Sequence, residues 1–401
     1  MKMTDSSEVH LTYCTNIHPG ETWGEIRQNI ERYVLAVKAR LTPMKSFGVG
    51  LRLSAAAADE LNAPENLEEF KTFLTAHDLY IFTINGFPYG KFHGTQVKDK
   101  VYLPDWRDEE RLRYTKVLAD ILAALLPLDS TLTGSISTVP GAFKSEIHSL
   151  AEIEQMSWLF IEAAIYFGEL KTKTGKTLSL ALEPEPCCFL ETVEETISFF
   201  RDHLFSSSSV NRFASHMGMA ASEAENALRS HVGICLDLCH AAIEYEDSSS
   251  CIKALRDADI QISKMQISAG LQLPVVTQRK VKSLRQFDDN VYLHQVVERM
   301  GSHLVRYSDL DKAIAAFGHH DDDREWRIHF HVPIFLADLA EFRSTQGFIR
   351  EVLDLHQRQS VSPHLEVETY TWGVMPQAYQ SGDIVHDICR ELEWVQSQLQ
   401  P

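Results

Sequence analysis

The sequence predicts one closed (β/α)₈ barrel, a TIM barrel, and three observations lead there. Strand-like apolar runs and helix-like periodic segments alternate from one end of the 401 residues to the other. Most of the strand runs are continuously apolar, as parallel strands covered on both faces are. No shift in composition divides the chain, and barrels reach this length with insertions. A doubly wound open sheet is the competing architecture. No Gly-x-Gly-x-x-Gly turn follows the first strand, which counts against a dinucleotide-binding version of it.

The first strand is expected at 11–17, ending near Asn16 and His18. Thr22 and Glu25 form a capping-box pattern, and apolar residues at helical spacing follow from Trp23 to Leu41. A second strand is read at 47–53, ending in Arg52 and Leu53, and Ser54 caps an alanine-rich helix. A helix at 65–76 and a third strand at 79–85 come next, the strand ending in Asn85. A long loop reaches Trp106 before a helix at 108–126. The fourth strand is placed at 132–139, and Ser149 with Glu152 caps a helix to 170.

Leu178-Ser-Leu-Ala-Leu-Glu-Pro-Glu-Pro186 reads as the fifth strand, an apolar run stopping in two carboxylates and two prolines. The serine run 206–209 reads as a surface loop. The sixth strand, 232–237, ends in Asp237 with His240 three residues on, and the seventh, 262–267, carries Gln266. Residues 270–324 read as an insertion with two helices, inside one barrel domain spanning 1–401. A short run at 327–332 holds His329 and His331; it is a ninth strand candidate and is assigned to the long seventh connection. The closing strand, 364–370, carries Glu366 and Glu368, and a helix at 383–399 ends the pattern.

Bulk properties narrow the function. The formal net charge of −18 argues against a nucleic-acid partner, whose electrostatic footprint is basic. No run is long and apolar enough for a membrane span, and residues 1–8 lack the apolar core of a secretory signal, so a cytoplasmic location is expected. The seven cysteines form no Cys-x-x-Cys pair and fit reduced thiols.

An unpaired charge inside an apolar strand costs several kcal/mol or shifts its pKa, unless it lies at an end that opens onto a site. Barrel sites lie at the carboxyl ends of the strands. Glu183, Asp237, Gln266 and Glu368 stand at four such ends and are expected to meet in one pocket around a divalent cation. Strand alternation puts Glu366 on the same face as Glu368, and Glu368, nearer the end, is preferred as ligand. Glu185, beyond Pro184, is placed at the rim. Two Glu, one Asp and an amide suit Mn²⁺, Mg²⁺ or Co²⁺, and histidine contact would favour Zn²⁺. Glu183, Glu368, His240 and His331 are the candidate catalytic residues; Asn16, His18, Arg52 and Asn85 are candidate substrate contacts. A basic cluster, Arg279, Lys280, Lys282 and Arg285, would favour an anionic substrate if it faced the pocket.

Leu182-Glu183-Pro184, then Leu236-Asp237 with His240, then a closing Glu368 resemble the xylose-isomerase-like barrel superfamily. The wording at Tyr13-Cys-Thr-Asn-Ile-His-Pro-Gly-Glu21, Gly50-Leu-Arg-Leu-Ser54, Ile84-Asn-Gly-Phe-Pro-Tyr-Gly90 and His331-Val-Pro333 looks closer to one branch, the EboE metabolite traffic proteins. The resemblance covers nearly the whole chain. It implies Glu183 as first metal ligand, Asp237 as second and Glu368 as last, with His240 facing substrate or metal. It implies an isomerase or epimerase acting on a sugar- or cyclitol-like metabolite, in the company of proteins of a metabolite-export pathway. Gln266 departs from the family, which places a histidine there; His331 is the candidate replacement. A non-catalytic barrel that carries a metabolite is the alternative. An endonuclease IV-like phosphodiesterase is disfavoured by Gln266 and by the charge.

Overall fold

Eight parallel strands form a nearly closed barrel with helices between them, in a computed structural model describing residues 1–3, 8–94, 96–127, 132–287, 291–318 and 323–400. Seven strands come in order: β1 (His10–Tyr13), β2 (Phe47–Arg52), β3 (Leu79–Asn85), β4 (Gly134–Thr138), β5 (Leu178–Leu182), β6 (Val232–Asp237) and β7 (Ile262–Ile267). The chain then leaves the barrel for β8 (Ala269–Leu273), β9 (Val296–Met300), β10 (His303–Tyr307), β11 (Arg324–Val332), β12 (Asp338–Leu339) and β13 (Phe342–Ser344). It returns as β14 (His364–Val367), which pairs in parallel with β1 on one side and β7 on the other.

The seam between β1 and β2 is closed by a hydroxyl as much as by a ladder. Thr12 Oγ1 donates to Gly48 O at 2.7 Å and accepts from Gly50 N at 3.1 Å, beside a single parallel bridge between Cys14 and Gly50. Gly50 is required there: a Cβ would stand 2.1 Å from Glu366 Oε1 and 2.6 Å from Tyr13 O.

The helical signals fold locally as their caps dictate. Thr22–Glu25 and Ser149–Glu152 both form complete capping boxes, satisfying amide donors at each helix start. The serine run expected as a loop instead starts a helix, Ser207–Met217, because Ser206 caps it and Val210 and Phe213 bury one face. Residues 270–324 hold two short helices, Gln278–Ser283 and Leu310–Ala316, but also three strands of a second, antiparallel sheet. That sheet has the order β10-β9-β11-β8-β13-β12 and extends past position 324 to Ser344. Helix-period reasoning missed it because β9 and β10 are short and mixed in polarity, Val-Val-Glu-Arg-Met and His-Leu-Val-Arg-Tyr, without the unbroken apolar run of a barrel strand. Positions 288–290 and 319–322 of that segment lie outside the described residues.

The barrel interior is polar. Ser135 Oγ donates to Thr83 Oγ1 at 2.8 Å and lies 2.8 Å from His364 Nδ1. One layer higher, Lys264 Nζ meets Glu366 at 2.5 Å, both side chains fully buried, and reaches Ser137 Oγ at 3.3 Å. The carboxylates at the strand ends stand above this pair. The loop after β3 and the second sheet roof the mouth: Val97 N donates to Val291 O at 2.8 Å, and Lys98 pairs with Asp309 at 2.6 Å. Buried Arg111 pins the loop through Pro104 O, Gly86 O and Phe87 O.

Candidate metal centre

Asp237 is the last residue of β6 and caps the helix Leu238–Ile243. Its Oδ1 accepts from His240 N at 3.0 Å and from Ser268 Oγ at 2.7 Å, while buried Oδ2 has no hydrogen-bond partner. Glu183 follows β5 directly, its amide tied to Thr138 O at 3.1 Å, and its buried Oε2 is likewise without a partner. Glu368 follows β14, and its Oε1 accepts from Asn16 Nδ2 at 2.7 Å and Asn85 Nδ2 at 3.0 Å. Ligand oxygens of Glu183, Asp237 and Glu368 all lie within 4.8 Å of one another.

Three buried carboxylates this close repel one another. Burial pushes the Glu183 and Glu368 carboxyls well above the usual range, with the neighbouring acids adding to the shift. Lys264 offsets part of it from below, though Glu366 already occupies its ammonium. Burial alone would lower the Lys264 pKa, yet Glu366 beside it holds the value above the ordinary lysine range. The orphaned oxygens of Glu183 and Asp237 and the shortage of free positive charge fit a divalent cation.

Histidines flank the triad. His331 donates from Nδ1 to Glu368 O at 2.7 Å, so its Nε2, buried and without a partner, carries the lone pair. That is the arrangement of a metal-bound imidazole, with the second nitrogen anchored to a carbonyl. Burial lowers the His331 pKa to about 4, which keeps the ring neutral. Asp237, His240 and His331 form a second group with ligand atoms within 4.8 Å. Gln266 lies in register with Asp237 and Glu366, but its Oε1 accepts from the Cys235 thiol at 3.1 Å and its Nε2 is unpartnered. A cation needs the oxygen, so Gln266 would have to turn its amide over to serve as the ligand its position suggests.

Of the candidate substrate contacts, Asn16 and Asn85 line the pocket with Glu183, His240 and Glu368, whereas His18 and Arg52 do not. His18 is stacked on Tyr33 at 4.2 Å and bonded to Tyr13 OH at 3.0 Å. The anionic partner that buried Arg52 requires is internal: Glu21 at 3.0 Å, with Gly20 O and Gly90 O completing the fork. The basic cluster also faces away from the pocket; Arg279 is 81% exposed and pairs with Glu341 at 3.2 Å, and Lys280 bonds Val275 O.

Glu185 lies deeper than a rim position. It is buried, lines the pocket, and accepts from Tyr102 OH at 2.6 Å and Gln295 Nε2 at 3.1 Å. Tyr102, Gln295 and Lys264 were not singled out from sequence. Lys264 had a readable signal, a cation in the middle of an apolar strand; Tyr102 and Gln295 sit in irregular segments and had none. The pocket so formed encloses about 60 Å³, walled by Phe87, Phe92, Tyr292 and Tyr370.

No family model matches the chain, and no curated protein matches it. Among solved structures, the neighbours are xylose isomerase-like TIM barrel proteins at low identity. One is a xylose isomerase-like TIM barrel protein from Mycobacterium smegmatis in complex with magnesium: 12% identity, 100% of this chain and 98% of that one covered, TM-score 0.49. Another is a D-tagatose 3-epimerase-like protein, at 11% identity with 98% and 97% covered and a TM-score of 0.49. A third is the IOLI protein with a bound zinc atom, at 11% identity with 98% of both chains covered and a TM-score of 0.48. The barrel itself is established by the strand order and parallel pairing described above.

Among the described residues no helix is long and apolar enough to cross a membrane.

Proposed function

We propose that the protein is a divalent-metal-dependent isomerase or epimerase acting on a small sugar- or cyclitol-like metabolite. The observation that carries this is the convergence of Glu183, Asp237 and Glu368, two of them with orphaned buried oxygens, at the mouth of the barrel. Mn²⁺, Mg²⁺ or Co²⁺ fits the carboxylates; drawing in His331 as the fourth donor shifts the preference toward Zn²⁺. Held by Glu183, Asp237 and Glu368, such an ion would supply Lewis-acid chemistry, acidifying a C–H next to a substrate oxygen.

The residues divide the remaining work. Asn16 and Asn85 hold Glu368 in place through its Oε1. Glu183 and Glu368 face the same cavity and are the pair to remove and return a carbon-bound proton. His240 lines the same wall and is placed to orient a substrate hydroxyl. The aromatic roof of Phe87, Phe92, Tyr292 and Tyr370 keeps bulk water from the pocket. Placement in the EboE branch, with partner proteins of a metabolite-export pathway, rests on the motif resemblance.

Metal analysis tests the proposal. The purified protein is expected to hold tight divalent metal, and Glu183→Gln or Asp237→Asn is expected to weaken it at least 10-fold in calorimetric titration with Mn²⁺. Wild-type affinity in both variants would refute the carboxylate site; no metal, combined with ligand binding, would favour a non-catalytic carrier.

A further inference from the structure

Next to the carboxylate pocket, and sharing part of its aromatic wall, lies a second cavity of about 510 Å³. That volume falls within the roughly 300–1,000 Å³ of small-molecule sites. Its lining comes from 17–19 after β1, 93–94 after β3, 291–292 in the long seventh connection, and 370–387 after β14, with Tyr33 from the first helical segment. Tyr292 and Tyr370 line both cavities. With Phe92 they make a partition of three rings, their centroids 5.2, 5.3 and 4.9 Å apart.

The lining is aromatic and carries negative charge without positive. Tyr33, Tyr292, Tyr370 and Trp372 supply the rings, and among the described lining residues there is no lysine or arginine. His18 and His93 are neutral, since burial lowers the first to about 3 and the second below its ordinary value. Two carboxylates remain. Asp383 is committed elsewhere: its Oδ2 accepts from Arg40 at 2.9 Å, and its Oδ1 caps the closing helix, Ile384–Leu399, through Val385 N at 3.0 Å. Asp387 is only 2% exposed, and its Oδ2 accepts from Ser381 N at 3.2 Å, while its buried Oδ1 has no hydrogen-bond partner. Arg390 Nη1 stands 3.8 Å from that oxygen, outside hydrogen-bond reach, with its guanidinium laid over the Phe335 ring at 3.9 Å. A buried carboxylate oxygen in this state calls for a donor from the cavity. Aromatic faces beside it favour a donor that is also a cation, and the carboxylate repels an anion.

We propose that this cavity binds a small organic ammonium ion, its N–H donating to Asp387 Oδ1 and its carbon body packed among Tyr33, Tyr292, Tyr370 and Trp372. The site is separate from the carboxylate triad and does not require a metal there. An occupant would nonetheless bear on the triad. Tyr292 OH lies 2.9 Å from His93 Nδ1, His93 Nε2 lies 2.5 Å from Asn16 O, and Asn16 Nδ2 holds Glu368 Oε1 at 2.7 Å.

The test is calorimetric titration of full-length protein, stripped with a chelator, with three probes of one shape at pH 7: benzylammonium, benzyl alcohol and benzoate. Wild type is expected to bind benzylammonium about 10-fold more tightly than benzyl alcohol, or better, and benzoate not at all. Asp387→Asn keeps the shape and removes the charge; it is expected to bring benzylammonium down to the level of the alcohol. Tyr33→Ala, at a half-buried ring, is expected to weaken both. The metal-free triad is also acidic, so Glu183→Gln locates the ligand: it is expected to bind benzylammonium as wild type does. Equal affinity for amine and alcohol in wild type overturns the site, as does an unchanged preference in Asp387→Asn, or a loss seen in Glu183→Gln and not in Asp387→Asn. If Asp387→Asn does not fold, Tyr33→Ala decides, and wild-type affinity there overturns the site. Amine binding that depends on Asp387, in a protein that takes up no Mn²⁺, would sink the metal-dependent reading and leave this site standing.

Discussion

Replacing Lys264 with methionine tests the polar floor of the barrel. The lysine and Glu366 are both fully buried, 2.5 Å apart, and neither Glu366 oxygen has another hydrogen-bond partner. Methionine matches the length of the stem and removes the charge, which leaves a carboxylate in the barrel interior beneath three more. Breaking a buried pair from one side costs about 3–5 kcal/mol. Unfolding entropy of ~2.1 cal/mol/K per residue makes that roughly 4–6 °C in Tm for a chain of this length. The double variant Lys264→Met/Glu366→Leu removes both charges and is expected to regain most of the loss, since apolar replacement of a whole buried pair is often neutral or better. Thermal and urea denaturation followed by circular dichroism on the metal-free protein reads both variants. A single variant shifted by less than about 1 °C, or a double variant no better than the single, would refute the view that this pair is a coupled charge in a low-dielectric interior.

Two further outcomes follow from the barrel's construction. Gly50→Ala puts a methyl 2.1 Å from Glu366 Oε1 and 2.6 Å from Tyr13 O, so it should cost about 1–3 kcal/mol and loosen the β1–β2 seam, read as faster amide exchange at β1 and β2. The buried histidines should contribute stability that is lost with acid, against the opposite contribution of the buried carboxyls Glu244 and Glu391, both pushed up to about 7. Burial holds His10, His231, His331 and His356 at about 4 and His18 and His364 at about 3, against an ordinary value of 6.5. The unfolded chain therefore binds more protons between those values, so this contribution is complete above pH 6.5 and is lost as pH falls toward 3–4. The stability difference between wild type and His356→Gln isolates one histidine: a difference that does not move against the wild type from pH 7 to pH 4.5 would contradict that sign.

The barrel was legible in the sequence because its strands are buried on both faces and so read as unbroken apolar runs, whatever their partners. Glu183, Asp237 and Glu368 were legible for the same reason: a carboxylate ending an apolar run has no low-energy place except a site. His329 and His331 were visible as a same-face pair on a short strand. Side-chain parity along that strand is local information.

What the sequence left open depends on contacts between distant segments. Arg52 and Glu21 satisfy each other 31 positions apart, which removes Arg52 from the pocket it was expected to line. Glu185 became a pocket wall only when Tyr102 and Gln295, from two different irregular segments, closed over it. Lys264 opposite Glu366 is set by the register of β7 against β14, and that register is fixed by closure of the whole ring. Strand alternation by itself thus determined which side chains point inward, a property of each backbone segment. Only the tertiary structure decided which of those side chains meet, because a buried charge or lone pair takes its role from whatever the rest of the chain brings within a few ångströms of it.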